Sequence, residues 1–140
     1  MKGKFWKRNI SRDNNMENLG QIGEGIAAEH YRKLGLQIVT QNYVFRKGKQ
    51  TGELDLIFLN SASRELVFVE VKTRRSKTFG EAVESIDRSK QRRLVRTAKL
   101  FLHLHPEYQD FDYQIDVAIV DVDNQAQPVI IIPNAIDDTD

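Results

Sequence analysis

Two carboxylates and a lysine, Asp55, Glu70 and Lys72, are the side chains of this sequence whose types and spacing could do chemistry. Asp55 lies in Gly52-Glu53-Leu54-Asp55-Leu56-Ile57, and the other two in Val67-Phe68-Val69-Glu70-Val71-Lys72. Both segments read as strands, in which alternate side chains share a face. Glu70 and Lys72 then point one way and Val67, Val69 and Val71 the other, while Asp55 shares a face with Glu53 and Ile57. The polar stretch Asn60-Ser61-Ala62-Ser63-Arg64 between them is turn material, which makes a hairpin. A turn symmetric about Ala62–Ser63 pairs Leu59 with Leu66, Ile57 with Phe68, Asp55 with Glu70 and Glu53 with Lys72. Directly opposed residues have Cβ atoms about 4.5–5.5 Å apart, where two like charges are unfavourable unless a cation lies between them. Asp55 and Glu70 each sit among apolar neighbours, where an unpaired carboxylate is costly. Buried carboxylates of this kind mark a site with a cation.

An all-oxygen donor set with no cysteine anywhere in the chain suits Mg²⁺ or Mn²⁺. Such an ion lowers the pKa of a bound water from about 16 toward about 7 and neutralises a phosphate oxygen. Lys72 could hold or activate the water, or stabilise charge building on the phosphorus. A metal, an attacking water and a positive group are the parts that phosphodiester hydrolysis needs. Glu-Val-Lys on a strand is also the ordinary pattern of a polar face alternating with a core face, and the short motif alone does not separate the two.

The surrounding elements must position these groups. Leu19, Ile22, Ile26, His30 and Leu34 recur at helical spacing and predict a helix over about Glu17–Leu34, stopped by Gly35. A strand over Gln37–Arg46 and a turn over Lys47–Gly52 follow, then the hairpin strands Glu53–Leu59 and Glu65–Thr73. Leu94, Val95, Ala98, Phe101 and Leu102 predict a second helix over Arg88–His103, ended by Pro106, and strands at Tyr113–Val122 and Val129–Ile132 complete the chain. The order α-β-β-β-α-β-β implies an α/β domain with a mixed β-sheet flanked by helices. Residues 1–15 read as a flexible basic arm, 16–133 as one domain and 134–140 as an acidic C-terminal tail.

Composition bounds the alternatives. A chain of 140 residues makes one domain, large enough to bury roughly 68% of its unfolded surface. Without cysteine there is no disulfide scaffold, no cysteine-ligated metal and no thiol nucleophile. No apolar run approaches the length of a membrane span, and the basic start lacks the apolar stretch of a secretory signal, so a cytoplasmic protein is expected. The net charge of +1 hides a split: residues 1–106 carry +10 and residues 107–140 carry −9. That asymmetry suggests one face built for a polyanion. His30, His103 and His105 are too few and too scattered for a ligand set. Gly20, Gly23 and Gly25 lie within a helical pattern with no preceding strand and no Gly-Lys-Ser/Thr, so they are not a phosphate loop.

At the carboxylate motifs the chain resembles the PD-(D/E)xK nuclease superfamily, with its restriction-endonuclease-like core. More closely, it resembles the bacterial YraN family of predicted endonucleases, which are similar to archaeal Holliday junction resolvases. The markers run from about Leu19 to Val120: Glu24, Asn42, Gly52-Glu53-Leu54-Asp55-Leu56-Ile57, Val67 to Arg74, Phe79-Gly80, Lys90 and Asp116-Val117. The resemblance implies that Asp55 and Glu70 bind the metal and that Lys72 is the catalytic lysine. It implies that Glu24 reaches the same site, directly or through water, and that Lys90 contacts phosphate. Two departures stand out: Leu54 occupies the place of the superfamily's proline, and Gln114-Ile115 stands where Arg-Phe is usual. Related resolvases are dimers, so a homodimer is possible on this resemblance.

Three basic groups bracket the motif in sequence. Arg46, Lys47 and Lys49 precede Asp55, while Arg74, Arg75 and Lys77 follow Lys72. The second helix carries Arg88, Lys90, Arg92, Arg93, Arg96 and Lys99. Contacts of this kind to phosphate give affinity and salt dependence with little sequence reading. The expectation is a nuclease dependent on Mg²⁺ or Mn²⁺ that acts on DNA, including branched or damaged DNA. The alternatives are a non-catalytic nucleic-acid-binding module on the same fold, and an interaction protein whose acidic C-terminal part docks a basic partner.

Overall fold

The computed structural model describes residues 15–76 and 86–137. The expected basic arm up to residue 14, Lys77, the Phe79-Gly80 marker and the last three residues lie outside the described residues. Helix α1 spans Asn15–Lys33. Strands β1 (Gln37–Lys47), β2 (Gln50–Asn60) and β3 (Glu65–Arg74) follow. Helix α2 (Arg88–Leu104) leads through a single 3-10 turn at Pro106–Tyr108 to β4 (Asp112–Asp121) and β5 (Val129–Ile132). The five strands form one sheet in the order β1-β2-β3-β4-β5. Only β3 and β4 run parallel, and α2 is the crossover between them. This is the expected mixed α/β layout.

One helix covers each face. Ala27, Ala28 and Tyr31 of α1 pack with Leu56, Phe58, Val67, Val69, Ala118 and Val120. Leu94, Ala98 and Phe101 of α2 pack with Leu54, Ile57, Leu66, Phe68, Ile115 and Ile119 on the other face. The alternation in β3 is the one the sequence predicts, with odd valines toward α1 and even positions, Glu70 and Lys72 among them, toward α2.

Two glycines let the helices come close. A Cβ on Gly23 of α1 would collide with the side chain of Thr73, and one on Gly52 of β2 would collide with that of Thr97 on α2. Gly23 brings its neighbour Glu24 to the end of β3, and Gly52 brings α2 down over the start of β2. Asp87 caps α2 by accepting from the Lys90 N–H at 2.8 Å, which sets where the helix begins.

The turn between β1 and β2 is tighter than expected. Only Gly48 and Lys49 separate the strands, with Gly48 at φ 60°, a value that costs glycine little. The stretch after β5 also packs more closely than its acidic composition suggests. The Asn134 N–H donates to Asp116 at 2.9 Å, the Ala135 N–H donates to the Ile115 carbonyl at 2.8 Å, and Ile136 is buried in the core beneath α2.

Candidate active site

The antiparallel ladder between β2 and β3 follows the predicted register through Asn60–Glu65, Leu59–Leu66, Ile57–Phe68 and Leu56–Val69. It stops there, so the expected cross-strand pairs Asp55–Glu70 and Glu53–Lys72 do not form. The physical reason lies in β2 itself. Leu54 and Ile57 face α2 although they are three residues apart, while Leu56 and Phe58 face α1. The alternation therefore breaks at Asp55. On the other side, β1 passes from the Gln41–Leu56 pair to the Tyr43–Leu54 pair around an Asn42 held at φ 54°. Asparagine tolerates that left-handed geometry better than most residues. At the kink the Asp55 side chain takes over a backbone role, and its Oδ2 accepts the Val71 N–H at 2.8 Å.

The carboxylates nevertheless converge. Asp55 lies close enough to Glu70 to feel its charge, and Glu24 adds its own field at Asp55. Burial, followed by the charge of Glu70, pushes Asp55 up to about 7, against the lowering effect of the Val71 N–H. Burial and Glu70 also raise Glu24, while a hydrogen bond from the Asn42 side chain opposes that rise. Glu70 is only 5% exposed. Its Oε2 lies 3.7 Å from Lys72 Nζ and 3.3 Å from Lys90 Nζ. Two ammonium groups thus face Glu70, while Asp55 is the member of the pair whose carboxyl is lifted by burial and by its neighbour's charge.

These residues suit a hard divalent ion. Asp55 uses one oxygen for Val71 and Glu70 uses one for the lysines, which leaves a second oxygen on each carboxyl group. Among the described residues no three His, Cys, Asp or Glu side chains gather into a metal-holding group. Mg²⁺ does not require such a cage, since it keeps several waters and is held by one or two carboxylates plus substrate phosphate. Asp55 and Glu70 could serve in that pattern, and Glu24, which feels the charge of Glu70, could act through water.

The expected phosphate-binding residues divide by location. Lys90 belongs to the site through Glu70. Beside it lies a pocket of about 220 Å³ lined by Thr51, Gly52, Glu53, Lys90, Arg93 and Leu94. The Arg93 guanidinium donates to Ser89 Oγ at 3.2 Å, and Arg96 donates to the Thr51 carbonyl at 3.5 Å, so both stay near this pocket. Arg92 is exposed on α2, and Lys47 and Lys49 are exposed at the β1–β2 turn. Arg74 donates to the Thr73 carbonyl at 2.8 Å. Arg75 is paired with Asp123 at 2.8 Å, next to a Ser76–Asp121 hydrogen bond of the same length. Part of the acidic C-terminal portion therefore neutralises the basic segment after β3.

Asp116 proves to be structural in this fold. It is 3% exposed and accepts from Tyr31 Oη at 2.8 Å, Gln114 Nε2 at 2.7 Å and the Asn134 N–H at 2.9 Å. Gln114, which departs from the resembled pattern, is one of its donors. Sequence reasoning gave no role to Asn42 or to the backbone of Val71, both of which shape the carboxylate pair. For Asn42 the available signals were its place among the markers of the resemblance and an asparagine in the middle of a strand.

A model of the uncharacterised protein family UPF0102 matches residues 23–120. The chain belongs to this family. The UPF0102 match begins beside Glu24 and takes in Asn42, Asp55, Glu70, Lys72, Lys90 and Asp116. Among similar UPF0102 proteins, that of Stutzerimonas stutzeri is 34% identical over 85% of this chain and 94% of its own length. One from Pseudomonas aeruginosa is 38% identical over 84% of this chain and 91% of its own. One from Psychrobacter sp. strain PRwf-1 is 38% identical over 67% of this chain and 66% of its own. No described helix is long and apolar enough to cross a membrane.

Proposed function

We propose that this UPF0102 protein is a divalent-metal-dependent nuclease of the PD-(D/E)xK type, hydrolysing phosphodiester bonds in DNA. Branched or damaged DNA is the substrate class that its YraN-like motifs imply. The observation that carries the reading is the convergence of a half-buried Asp55 on the buried Glu70, beside the Lys72 ammonium. A fold that buries such a pair retains it at a cost in stability, and a bound cation removes that cost.

Asp55 and Glu70 would hold Mg²⁺ or Mn²⁺, which supplies a water of lowered pKa and charge neutralisation at phosphate. Lys72, on the α2 face beside Glu70, would orient the attacking water or stabilise negative charge on the phosphoryl oxygens. Glu24, kept in place by Asn42, would bind water on the α1 side of the pair. The exposed cations of α2 would hold the backbone without reading its sequence.

The test is cleavage of duplex, flap, junction and single-stranded DNA with Mg²⁺ or Mn²⁺, in wild type and in Glu70→Ala and Lys72→Ala. Cleavage that is lost in both variants, while their circular dichroism and melting stay native-like, supports the reading. Absence of cleavage on every substrate, or survival of cleavage in Glu70→Ala, refutes it. DNA binding that ignores both Glu70→Ala and chelator would instead support a non-catalytic nucleic-acid-binding module. The two lysines that already balance Glu70 are the feature consistent with that second reading.

A further inference from the structure

Lys90 faces two ways. Its ammonium lies 3.3 Å from Glu70 Oε2, closer than that of Lys72. Its side chain also lines the pocket between the start of β2 and the first turns of α2. Lys72 is anchored on the same strand as Glu70, two residues away. Lys90 comes from a different element, on a long flexible stem that is about one-third exposed. It is therefore the cation that can leave.

We propose that Lys90 is a displaceable counter-cation: a divalent ion on Asp55 and Glu70 drives its ammonium into the adjacent pocket, where with Arg93 it binds a backbone phosphate. This rests on the metal-site reading above and adds a second site, specific for the phosphodiester group, whose occupancy is coupled to the metal. An ammonium 3.3 Å from Glu70 repels a divalent ion bound to the same carboxylate, so the two compete for it. Once released, the ammonium has a ready destination. The pocket is walled by Lys90 and Arg93, with Arg96 at its edge and a side-chain-free Gly52 in its lining. A phosphate there supplies the negative charge that Lys90 gave up at Glu70. Metal and phosphate thus assist each other through one side chain, and the coupling is reciprocal. Glu53 is the opposing group in the lining, a single exposed carboxylate that weakens an anion's hold.

The experiment measures two affinities separately. Ca²⁺ and Mn²⁺ binding is read by calorimetry without nucleic acid. Binding of a fluorescein-labelled duplex oligonucleotide is read by anisotropy with and without Ca²⁺. In wild type, Ca²⁺ tightens oligonucleotide binding by about fivefold or more, within the usual range of coupling between sites. In Lys90→Met, Ca²⁺ alone binds tighter than in wild type, and oligonucleotide binding no longer responds to it. Arg93→Gln, which does not touch Glu70, leaves Ca²⁺ affinity unchanged and weakens oligonucleotide binding. Glu53→Gln strengthens it. If wild type binds metal but Lys90→Met binds it no more tightly and keeps the coupling, the proposal is wrong while the nuclease reading stands. If wild type binds no divalent ion, or binds it equally well in Asp55→Asn, the metal site itself is wrong and this proposal goes with it.

Discussion

At the proposed metal site the raised Asp55 carboxyl would make metal binding proton-linked, with a slope that can be worked out. Asp55 sits at about 7, lifted by burial and by Glu70. A metal ligand must be deprotonated, so below that value each bound ion displaces one proton. Apparent affinity for Mn²⁺ should therefore rise about tenfold per pH unit from pH 5 to about 7 and flatten above. An ordinary aspartate would be ionised throughout this range and give no such slope. Stability of the metal-free protein should run the opposite way. Asp55 holds its proton more tightly folded than unfolded, so its contribution is full at pH values below the unfolded carboxylate range. It is then lost as pH rises toward 7, by about 1.4 kcal/mol per pH unit. Glu24, raised for the same reasons, adds in the same direction. The assay is Mn²⁺ calorimetry from pH 5 to 8, repeated in two buffers of different ionisation enthalpy to count the protons released. Thermal melts with and without metal run alongside. Asp55→Asn keeps a carbonyl oxygen for the Val71 N–H but has nothing to titrate, so it should bind weakly and without a slope. A flat wild-type profile between pH 5.5 and 7, or a slope that persists in Asp55→Asn, would refute the shared-proton argument.

Other positions test the frame around the site. Gly52→Ala and Gly23→Ala should each destabilise by about 1–3 kcal/mol through overpacking. Denaturant melts should show partial recovery of the first in Gly52→Ala/Thr97→Ala, because the Thr97 side chain is what the new methyl group meets. Tyr31→Phe removes one of three donors to the buried Asp116, and should cost about 1–3 kcal/mol. Ile136, 4% exposed, is a core residue. Ile136→Ala should lower stability by about 2–5 kcal/mol, whereas a freely solvated tail residue would change it by less than about 0.5 kcal/mol.

The hairpin was legible because its turn composition and period-2 pattern are local. Leu59 meets Leu66 and Ile57 meets Phe68 as the symmetric turn predicts. The extrapolation to Asp55–Glu70 failed for a tertiary reason. Alternation assumes an unbroken pleat, and the pleat breaks where Asn42 turns left-handed and Asp55 bonds to the backbone of β3. The two groups still converge closely enough for the charge of Glu70 to act on Asp55, without cross-strand pairing. Ile136 was hidden by its acidic neighbours, although an isoleucine three residues after Pro133 was an available hint. Lys90 and Glu70 are separated by a segment that no local pattern can span. Their contact depends on how closely α2 approaches β2, which Gly52 and Thr97 determine.

The charge split gains meaning from the same geometry. Asp121 and Asp123, from the acidic C-terminal portion, engage Ser76 and Arg75 just beyond β3. That leaves α2, with Lys90, Arg93 and Arg96 directed to one side of the carboxylate pair, as the basic surface tied most directly to the site. A polyanion drawn to α2 would therefore arrive over Glu70 from the Lys90 side. The carboxylates would repel it if they stood alone. Lys72 and Lys90 reduce that repulsion in the metal-free protein, and the proton on Asp55 reduces it further. A divalent ion would replace the proton and one lysine together and leave the site more positive than before. The same buried pair that weakens the fold at neutral pH would then make phosphate affinity depend on metal. Loss of oligonucleotide affinity on chelation, restored by Ca²⁺ in wild type but not in Asp55→Asn, is the result this argument requires.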